Sequence, residues 1–529
     1  MTWQLTIDLG DPDGREEHEN APIFSRIARA IAHDIARGRL RPGQRLPGSR
    51  ALASSLGVNR NTVLAAINEL IAQGWLDARP AQGTFVRAVA PGDQRARPAS
   101  RGLEPRPGMP SRPAFGLPRQ NLARSRWARW IPGRGGVLGD IDRAEPGASG
   151  DTLLMAGGVP DPRLFPGELL ARAYRRAMRR HAHAVLDYGD PRGYPALRAA
   201  LAEMLATTRG LACGPDDVVV TRGSQMAMWL VARALLEPGD RVAVESYGYV
   251  PAWDALGQNG AELIPIPVDD EGMDTAALER QIAGGPDGGP IRAVYVTPHH
   301  QYPTLATLSA ARRMHLLALA REHGFAIIED DYDNEYHYEG RPVLPLASAD
   351  RAGSVVYIGT LSKVLAPGLR IGYVVAPRAV LERLTRQRTL VDRQGDRPTE
   401  AAVAELIEDG EIQRHIRRTR RIYHGRRDAL AHQLEDQLGD LVQFQVPRGG
   451  MAFWVECDRA IDVEGWAERA RERGVIVTPG RMVAFHDRPE PHLRVGFART
   501  DEAEIARAVT RLRAALPADL RRRPDEPDR

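Results

Sequence analysis

The feature that most restricts the fold of this 529-residue sequence is the alternation of strand-like and helix-like segments beyond residue 151. Short apolar, β-branched runs recur there, with helical stretches such as 308–323 between several of them. The runs are 217–221, 241–245, 262–268, 292–297, 325–329, 355–360 and 370–375. Short buried strands separated by helices predict a mostly parallel α/β sheet. Because ligands in such sheets bind at the carboxyl ends of the strands, we expect the chemistry of this chain there.

The last two runs enclose Lys363, the only lysine of the chain, since the other 71 of its 72 Lys and Arg residues are arginine. A guanidinium group stays protonated and cannot condense with an aldehyde, whereas a lysine amine can. The alternative is a lysine left by chance on a solvated surface, but a small-residue loop between two apolar strands does not favour that. Because burial lowers the pKa of a lysine and makes it nucleophilic, the context predicts a Schiff-base lysine.

The formal net charge of +4 is unevenly distributed along the chain. Residues 1–20 carry −5, residues 21–88 carry +7 and residues 89–150 carry +6, which leaves −4 for everything from 151 onward. A basic module joined to a mildly acidic larger one predicts a polyanionic partner for the basic module alone.

Composition and periodicity together divide the chain into five segments. An acidic tail at 1–20 precedes a small basic domain at 21–88. Residues 89–150 hold nine prolines and few apolar residues, which predicts a mostly flexible linker. A large domain is expected over 151–516, followed by a charged tail at 517–529.

The cysteine content indicates the cellular compartment. Cys213 and Cys457 cannot form a disulfide framework, and no Cys/His run has the spacing of metal ligands, so we expect a reducing cytosol and no metal site. The acidic first residues do not fit a signal peptide, and no apolar run approaches the ~18 residues that span a bilayer. We therefore expect a soluble cytoplasmic protein without a membrane partner.

The basic domain shows three helical patterns followed by a hairpin pattern. Isoleucines spaced four apart indicate an amphipathic helix over 22–37. Ser49 and Asn59 are expected to cap two further helices, and 75–86 reads as two short strands around a turn. Three helices and a β-hairpin predict a winged helix-turn-helix, an α+β module.

The residues of this module resemble the GntR family of DNA-binding domains. The match runs through Leu46, Pro47, Ser49, Arg50, Leu52 and Ala53, then Leu56 to Arg60, Thr62 and Val63, and finally Gly83 to Val86.

A winged helix-turn-helix of this kind would bind double-stranded DNA. The third helix would present Arg60, Asn61 and Thr62 to base edges. Arg45, Ser49 and Arg50 lie where phosphates would be held, and Gly83 would let the wing approach the minor groove closely. The alternative is a helical interaction domain with a solvated arginine face.

Polar residues follow the strand-like runs of the large domain. Gly223, Ser224 and Gln225 come after the run 217–221 at a helix start, where backbone N–H groups suit a phosphate. Glu329, Asp330 and Asp331 end another run, and buried carboxylates this close require a cation.

With Lys363, these groups supply what a pyridoxal 5'-phosphate (PLP) site needs. Lys363 would bind the aldehyde, and a buried carboxylate would keep the pyridine nitrogen protonated. Ser224, Thr360, Ser362 and Arg370 would bind the phosphate.

Residues 151 to about 515 resemble the fold-type-I aminotransferases, and the whole chain resembles the MocR-type regulators, in which a GntR-like domain is fused to that fold. The resemblance implies that Lys363 forms the internal aldimine, that Asp330 pairs with the ring nitrogen and that Tyr332 bonds the phenolic oxygen. It also implies that Tyr249 stacks on the ring and that Tyr188 reaches the phosphate of a second subunit, hence a homodimer.

Arg494 falls at the position of the arginine that grips a substrate carboxylate in the aminotransferases. The alternative for Arg494 is an ordinary arginine on a surface strand. The sequence Tyr302-Pro303-Thr304-Leu305 replaces the usual Asn-Pro-Thr-Gly, so His300 is the candidate donor to the phenolic oxygen. This departure bears on efficient turnover more than on cofactor binding.

Three functions are compatible with these residues. The first is a PLP-dependent transcriptional regulator that senses an amino acid, an amine or PLP itself through aldimine chemistry at Lys363. The second is a working aminotransferase that its basic module only localises. The third is a DNA-binding protein whose large domain no longer holds PLP, which the single retained lysine disfavours.

Overall fold

The computed structural model describes residues 23–36, 40–72, 75–79, 83–87, 152–284, 289–340 and 343–520. The chain divides into two compact units, residues 1–118 and 119–529. The predicted acidic tail at 1–20, the predicted linker at 89–150 and most of the predicted tail at 517–529 lie outside the described residues.

The first unit is the predicted winged helix-turn-helix. Three helices, α1 (Ile23–Ala36), α2 (Ser49–Leu56) and α3 (Arg60–Ala72), precede an antiparallel hairpin of β1 (Leu76–Arg79) and β2 (Gly83–Val86). Its core contains Ile27, Ile31, Val63 and Leu70, all fully buried. Ile23, the first isoleucine of the predicted stripe, is 52% exposed, so the buried face of α1 begins one turn later.

The helix caps of this unit follow the prediction at one position and depart from it at another. Asn59 accepts a hydrogen bond from the backbone of Asn61 at 2.9 Å, which is the expected N-cap of α3. The prediction that Ser49 caps α2 is wrong, because Ser49 is the first helical residue and Gly48 holds the cap position. The Ser49 hydroxyl instead accepts a hydrogen bond from Arg60 Nε at 3.3 Å.

The second unit alternates helices and strands, as the pattern beyond residue 151 predicts. Its helices are α4 (Gly167–Leu186), α5 (Pro195–Arg209), α6 (Gly223–Leu235), α7 (Val250–Gly257), α8 (Thr275–Ala283), α9 (Ala310–His323), α10 (Leu346–Ala349), α11 (Arg378–Val391), α12 (Arg397–Glu408), α13 (Glu411–Leu438), α14 (Val463–Glu472) and α15 (Glu502–Ala514). Short 3-10 turns cover Pro162–Leu164, Pro215–Asp217, Pro367–Leu369 and Gly480–Val483.

The strands of this unit are β3 (Leu153–Leu154), β4 (Val218–Thr221), β5 (Arg241–Glu245), β6 (Glu262–Ile266), β7 (Val268–Asp269), β8 (Gly272–Met273), β9 (Ile291–Val296), β10 (Ala326–Asp331), β11 (Val355–Thr360), β12 (Gly372–Val375), β13 (Val442–Phe444), β14 (Ala452–Cys457), β15 (Val475–Ile476), β16 (Thr478–Pro479) and β17 (His492–Gly496).

Seven of these strands form one mixed sheet in the order β4-β12-β11-β10-β9-β5-β6. Every pairing is parallel except those of β12, which runs antiparallel to β11 and to β4. All seven predicted strand runs are present in it. Since six strands point the same way, their carboxyl ends share one edge, and the candidate site lies there.

One strand boundary differs from the prediction in a way that matters for the site. Arg370 was expected to begin a strand, but it follows the turn Pro367–Leu369 in a left-handed conformation with φ 52°. Strand β12 begins only at Gly372. Arg370 is therefore a loop residue before the strand.

A smaller antiparallel sheet, β13-β14-β17-β16, packs with α13 and α15 around a second apolar core. Its strand β17 carries Arg494, and Phe453 of β14 is fully buried. Among the residues that the structure describes, no helix is both long and apolar enough to span a membrane.

Candidate functional site

Lys363 lies just beyond the carboxyl end of β11, a strand whose six residues are all buried. Its amine donates a hydrogen bond to the backbone oxygen of Gly158 at 2.7 Å. Burial, and next the positive charge of Arg494, lower the pKa of Lys363 to about 8, while Asp333 and Asp330 oppose that shift. A larger fraction of the amine is thus neutral and nucleophilic than for an exposed lysine.

Asp330 lies near the end of the neighbouring strand β10, paired in register with Ile358 of β11. It is 5% exposed, and its Oδ2 accepts a hydrogen bond from the Tyr295 hydroxyl at 3.0 Å. Its Oδ1 has no hydrogen-bond partner among the residues that the structure describes. Burial raises the pKa of Asp330 to about 7. Such a carboxylate is stabilised by a cation brought close to it.

The two carboxylates beside Asp330 have partners of their own, and for Asp331 one of these is the cation of Arg209. Glu329 accepts hydrogen bonds from the backbone of Leu346 and Ala347 at 2.7 and 2.9 Å. Asp331 accepts from Arg209 at 3.3 Å and from the Tyr357 hydroxyl at 2.5 Å. Because side chains alternate along a strand, Asp330 points to the opposite face.

The start of helix α6 and Arg370 form a compact basic corner. Gly223 begins the helix with φ +77°, and a Cβ there would lie 2.6 Å from Arg370 Nη2. Arg370 also donates to the backbone oxygen of Arg222 at 3.2 Å. A Cβ at Gly372 would lie 2.8 Å from the Ser224 nitrogen, so only glycine lets β12 pass the helix start. A guanidinium beside a helix N-terminus suits a phosphate.

The other predicted phosphate residues surround this corner with different hydrogen bonds. The Thr360 hydroxyl donates to the Ile371 oxygen at 3.3 Å and accepts from the Ser362 nitrogen at 3.1 Å. Gln225 donates from Nε2 to the Pro251 oxygen at 2.9 Å. Ser362 Oγ and Gln225 Oε1 are buried without a hydrogen-bond partner in the described part of the chain.

Three tyrosine rings and Arg494 lie together, with Tyr302 between the others. The Tyr302 ring is 5.7 Å from that of Tyr249, 6.2 Å from that of Tyr332 and 4.5 Å from the Arg494 guanidinium carbon. The Tyr332 hydroxyl donates to the backbone oxygen of His300 at 3.0 Å. Tyr302 thus lies at the centre of this group, whereas in the sequence it stood out only as the residue that replaces the usual asparagine.

Arg494 is fully buried, so the alternative of a surface strand arginine is wrong. Its Nε and Nη1 have no hydrogen-bond partner among the described residues. A Cβ on Gly158, the residue that accepts the bond from Lys363, would lie 3.5 Å from Arg494 Nη2. A buried guanidinium with unpaired donors near a reactive amine can bind a carboxylate.

The contacts of His300 and Tyr188 are with residues other than Lys363. The His300 Nδ1 is 2.7 Å from Asp333 Oδ1, and both residues are buried. Tyr188 is 73% exposed, and the Arg393 guanidinium carbon lies 4.6 Å from its ring centroid. The prediction that Tyr188 completes the site of a second subunit stays a prediction.

The residues predicted to contact DNA lie on the surface of the first unit. Arg45, Arg50, Arg60 and Asn61 are exposed, and Ser49 and Thr62 are half-buried. The Ser49–Arg60 hydrogen bond joins α2 to the start of α3. Gly83 has φ +111°, and a Cβ there would meet Arg45 Nε at 2.8 Å, so this glycine also makes room for Arg45.

The arrangement around Lys363 fits pyridoxal 5'-phosphate. Buried polar atoms of Asp330, Ser362, Gln225 and Arg494 lack partners among the described residues, and the basic corner at Gly223 suits a phosphate. Two residues of this arrangement, Tyr295 and Gly158, were not predicted from the sequence, and Tyr302 was noted only for the asparagine that it replaces. Tyr295 is a polar-tipped residue within the apolar run of β9, which is a signal that a buried hydroxyl needs a partner.

Two family models match the chain. Residues 24–86 match the gntR family of bacterial regulatory proteins, and residues 158–512 match aminotransferase class I and II.

Curated relatives match either the whole chain or its second part. The probable rhizopine catabolism regulatory protein MocR of Rhizobium meliloti is 31% identical over 94% of both chains. The HTH-type transcriptional regulator TauR of Rhodobacter capsulatus is 33% identical, covering 93% of this chain and 96% of its own. Aromatic-amino-acid aminotransferase 1 of Thermococcus litoralis is 33% identical over 70% of this chain and 89% of its own.

Among solved structures, LysN, the alpha-aminoadipate aminotransferase of Thermus thermophilus, superposes with a TM-score of 0.65 at 30% identity. The match covers 72% of this chain and 94% of LysN, whose structure contains N-(5'-phosphopyridoxyl)-L-leucine.

Proposed function

This chain belongs to the MocR-type regulators, in which a gntR-family DNA-binding domain precedes a class I and II aminotransferase domain, and from that premise we propose how it works. It is a PLP-dependent transcriptional regulator. In our proposal, an amino compound or PLP itself reacts at Lys363 and changes how a cytoplasmic homodimer holds its operator DNA. Control of this kind requires that the ligand bind two arrangements of the protein with different affinity.

The observation that carries the proposal is the environment of Lys363. The chain has no other lysine, and this one, with a lowered pKa, lies close to Asp330 and Arg494, both buried. PLP, when bound, supplies an aldehyde that condenses with amines and a ring that withdraws electrons. Lys363 would hold the aldehyde carbon, Asp330 the ring nitrogen, and Arg370 with Ser224, Ser362 and Thr360 the phosphate.

The surroundings of Lys363 also indicate the class of effector. The unpaired donors of buried Arg494 favour a carboxylate, so an amino acid fits better than a simple amine. Tyr302, 4.5 Å from that guanidinium, restricts how large the rest of the effector can be on that side.

Absorbance spectroscopy tests cofactor binding and effector class together. Wild type and Lys363→Ala are mixed with PLP and then titrated with matched pairs of amino acids and their decarboxylated amines. We expect a visible band in wild type that Lys363→Ala lacks and that an amino acid shifts at lower concentration than its amine. Absence of any lysine-dependent band would contradict the proposal.

A working aminotransferase is the second candidate, favoured by the 33% identity to the Thermococcus litoralis enzyme over 70% of this chain. Steady transfer over many turnovers between an amino acid and a 2-oxo acid would support it. A single half-reaction that stops after one equivalent would support the regulator alone.

A further inference from the structure

Three histidine rings lie close together in the second unit. His299 and His300 follow strand β9, and His337 follows strand β10. One ring nitrogen of each lies within 4.8 Å of one from each of the others. Sequence reasoning expected no metal site, because only the fold brings His337 to the adjacent pair.

His299 is the member of this cluster whose whole side chain is buried without a hydrogen bond to any described residue. It is 5% exposed, and neither ring nitrogen has a hydrogen-bond partner among the residues that the structure describes. A buried polar ring without partners costs free energy, so such a group is normally satisfied by something.

His300 makes a carboxylate contact of the kind that metal-bound histidines make. Its Nδ1 lies 2.7 Å from Asp333 Oδ1, and Asp333 is 1% exposed. If Nδ1 carries the proton, Nε2 keeps a free lone pair. Metal-bound histidines usually donate their other ring N–H to a carboxylate, which fixes the ring and raises its basicity.

We infer that His299, His300 and His337 bind a divalent late transition-metal ion, of which Zn²⁺ is the representative. Three imidazoles suit this class of ion and leave a fourth position for water. Zn–N bonds of about 2.0–2.1 Å place tetrahedral nitrogens roughly 3.4 Å apart, so nitrogens that lie up to 4.8 Å apart must draw together by up to about 1.4 Å. His337 is half-buried, and both of its ring nitrogens are buried without a hydrogen-bond partner among the described residues.

Two arginines and one carboxylate lie around the cluster. Arg209 is paired with Asp331 and Glu335. Arg313 donates to three backbone oxygens, those of Leu308, Leu344 and Pro298. Asp333 adds a buried negative charge next to His300. This inference does not depend on PLP chemistry at Lys363.

Metal titration of full-length protein without an affinity tag tests the site. Calorimetry with Zn²⁺ and elemental analysis after dialysis measure affinity and stoichiometry, and Co²⁺ absorbance reports the geometry. We expect one ion per chain in wild type, with an intense tetrahedral Co²⁺ spectrum. His299→Ala and His337→Gln should each weaken Zn²⁺ binding at least tenfold, whereas His323→Ala, at an exposed helix end, should not.

Circular dichroism shows whether each variant is folded. If His299→Ala does not fold, the Zn²⁺ affinity of His337→Gln tests the inference instead. Failure of wild type to bind Zn²⁺ saturably would overturn the inference. So would equal affinity in wild type and in the folded histidine variants.

Discussion

At the scale of single residues, burial shifts the pKa values of Lys363 and Asp330 in the directions that PLP binding requires. Burial lowers the pKa of Lys363 to about 8 and raises that of Asp330 to about 7, so both charged forms are disfavoured. Each shift follows the rule that a buried group prefers its neutral form. The neutral amine is the nucleophile, and the carboxylate is ready to be stabilised by a cationic ring nitrogen.

The raised pKa of Asp330 predicts a pH-dependent effect of Asp330→Asn on cofactor-free protein. A carboxyl whose folded pKa of about 7 exceeds its ordinary value of 3.8 stabilises the fold fully below pH 3.8, and that contribution is lost as pH rises through 7. Asparagine does not titrate and can still accept the bond from Tyr295. We expect Asp330→Asn to be more stable than wild type above pH 7, by on the order of 2–4 kcal/mol.

Thermal unfolding of the two proteins at pH 5 and pH 8 measures this difference. The gap should be small at pH 5 and large at pH 8. With PLP present at pH 8 the order should reverse, because the variant lacks the negative charge. A gap that is the same at both pH values would contradict the shifted pKa.

At the scale of elements, the start of helix α6 depends on Gly223, Gly372 and Arg370, which pack closely together. Gly223→Ala forces a left-handed residue and brings its Cβ 2.6 Å from Arg370 Nη2. Gly239 has a similar φ of +92° with no atom within 4 Å of its Cβ position, so Gly239→Ala has the same backbone strain without the contact.

We expect both alanine variants to lose about 1 kcal/mol of stability. Only Gly223→Ala should weaken PLP binding, by about tenfold or more, because displacing Arg370 removes a charge-assisted bond of ~1.5–3 kcal/mol. Fluorescence titration with PLP gives both affinities. Equal affinities in the two variants would show that Arg370 does not bind the phosphate.

Helix α3 is the second element whose role a single substitution can test. Arg60 at its start is exposed and bonded to Ser49, which places a positive charge where a DNA phosphate or base edge would lie. Arg60→Ala should lower DNA affinity and reduce the log–log salt slope by ~0.9 if the contact is to a phosphate. Arg351→Ala, an exposed arginine of the second unit, is the control. An unchanged affinity and slope in Arg60→Ala would remove Arg60 from the interface.

Secondary-structure elements could be predicted from the sequence more completely than the contacts of individual side chains. Seven apolar runs marked the seven strands of the main sheet, because buried parallel strands leave a strong apolar signal. The contacts of Arg494 with Tyr302 and of Asp330 with Tyr295 were not predictable, since only the fold brings these residues together. The capping role expected of Ser49 was wrong because Gly48 occupies that position.

At the scale of the whole molecule, one chain joins a basic DNA-binding unit to a PLP-binding unit. The charge division supports this, since residues 21–88 carry +7 while those beyond 151 carry −4. In our proposal, effector chemistry reaches DNA binding as a difference in affinity between two arrangements of the protein.

DNA footprinting of wild type and Lys363→Ala, each with and without PLP and an amino acid effector, tests this coupling most directly. We predict that PLP and the effector change the affinity or the protected pattern of wild type and leave Lys363→Ala unchanged. A wild-type footprint that stays the same under all conditions, while PLP is bound at Lys363, would contradict ligand control of DNA binding.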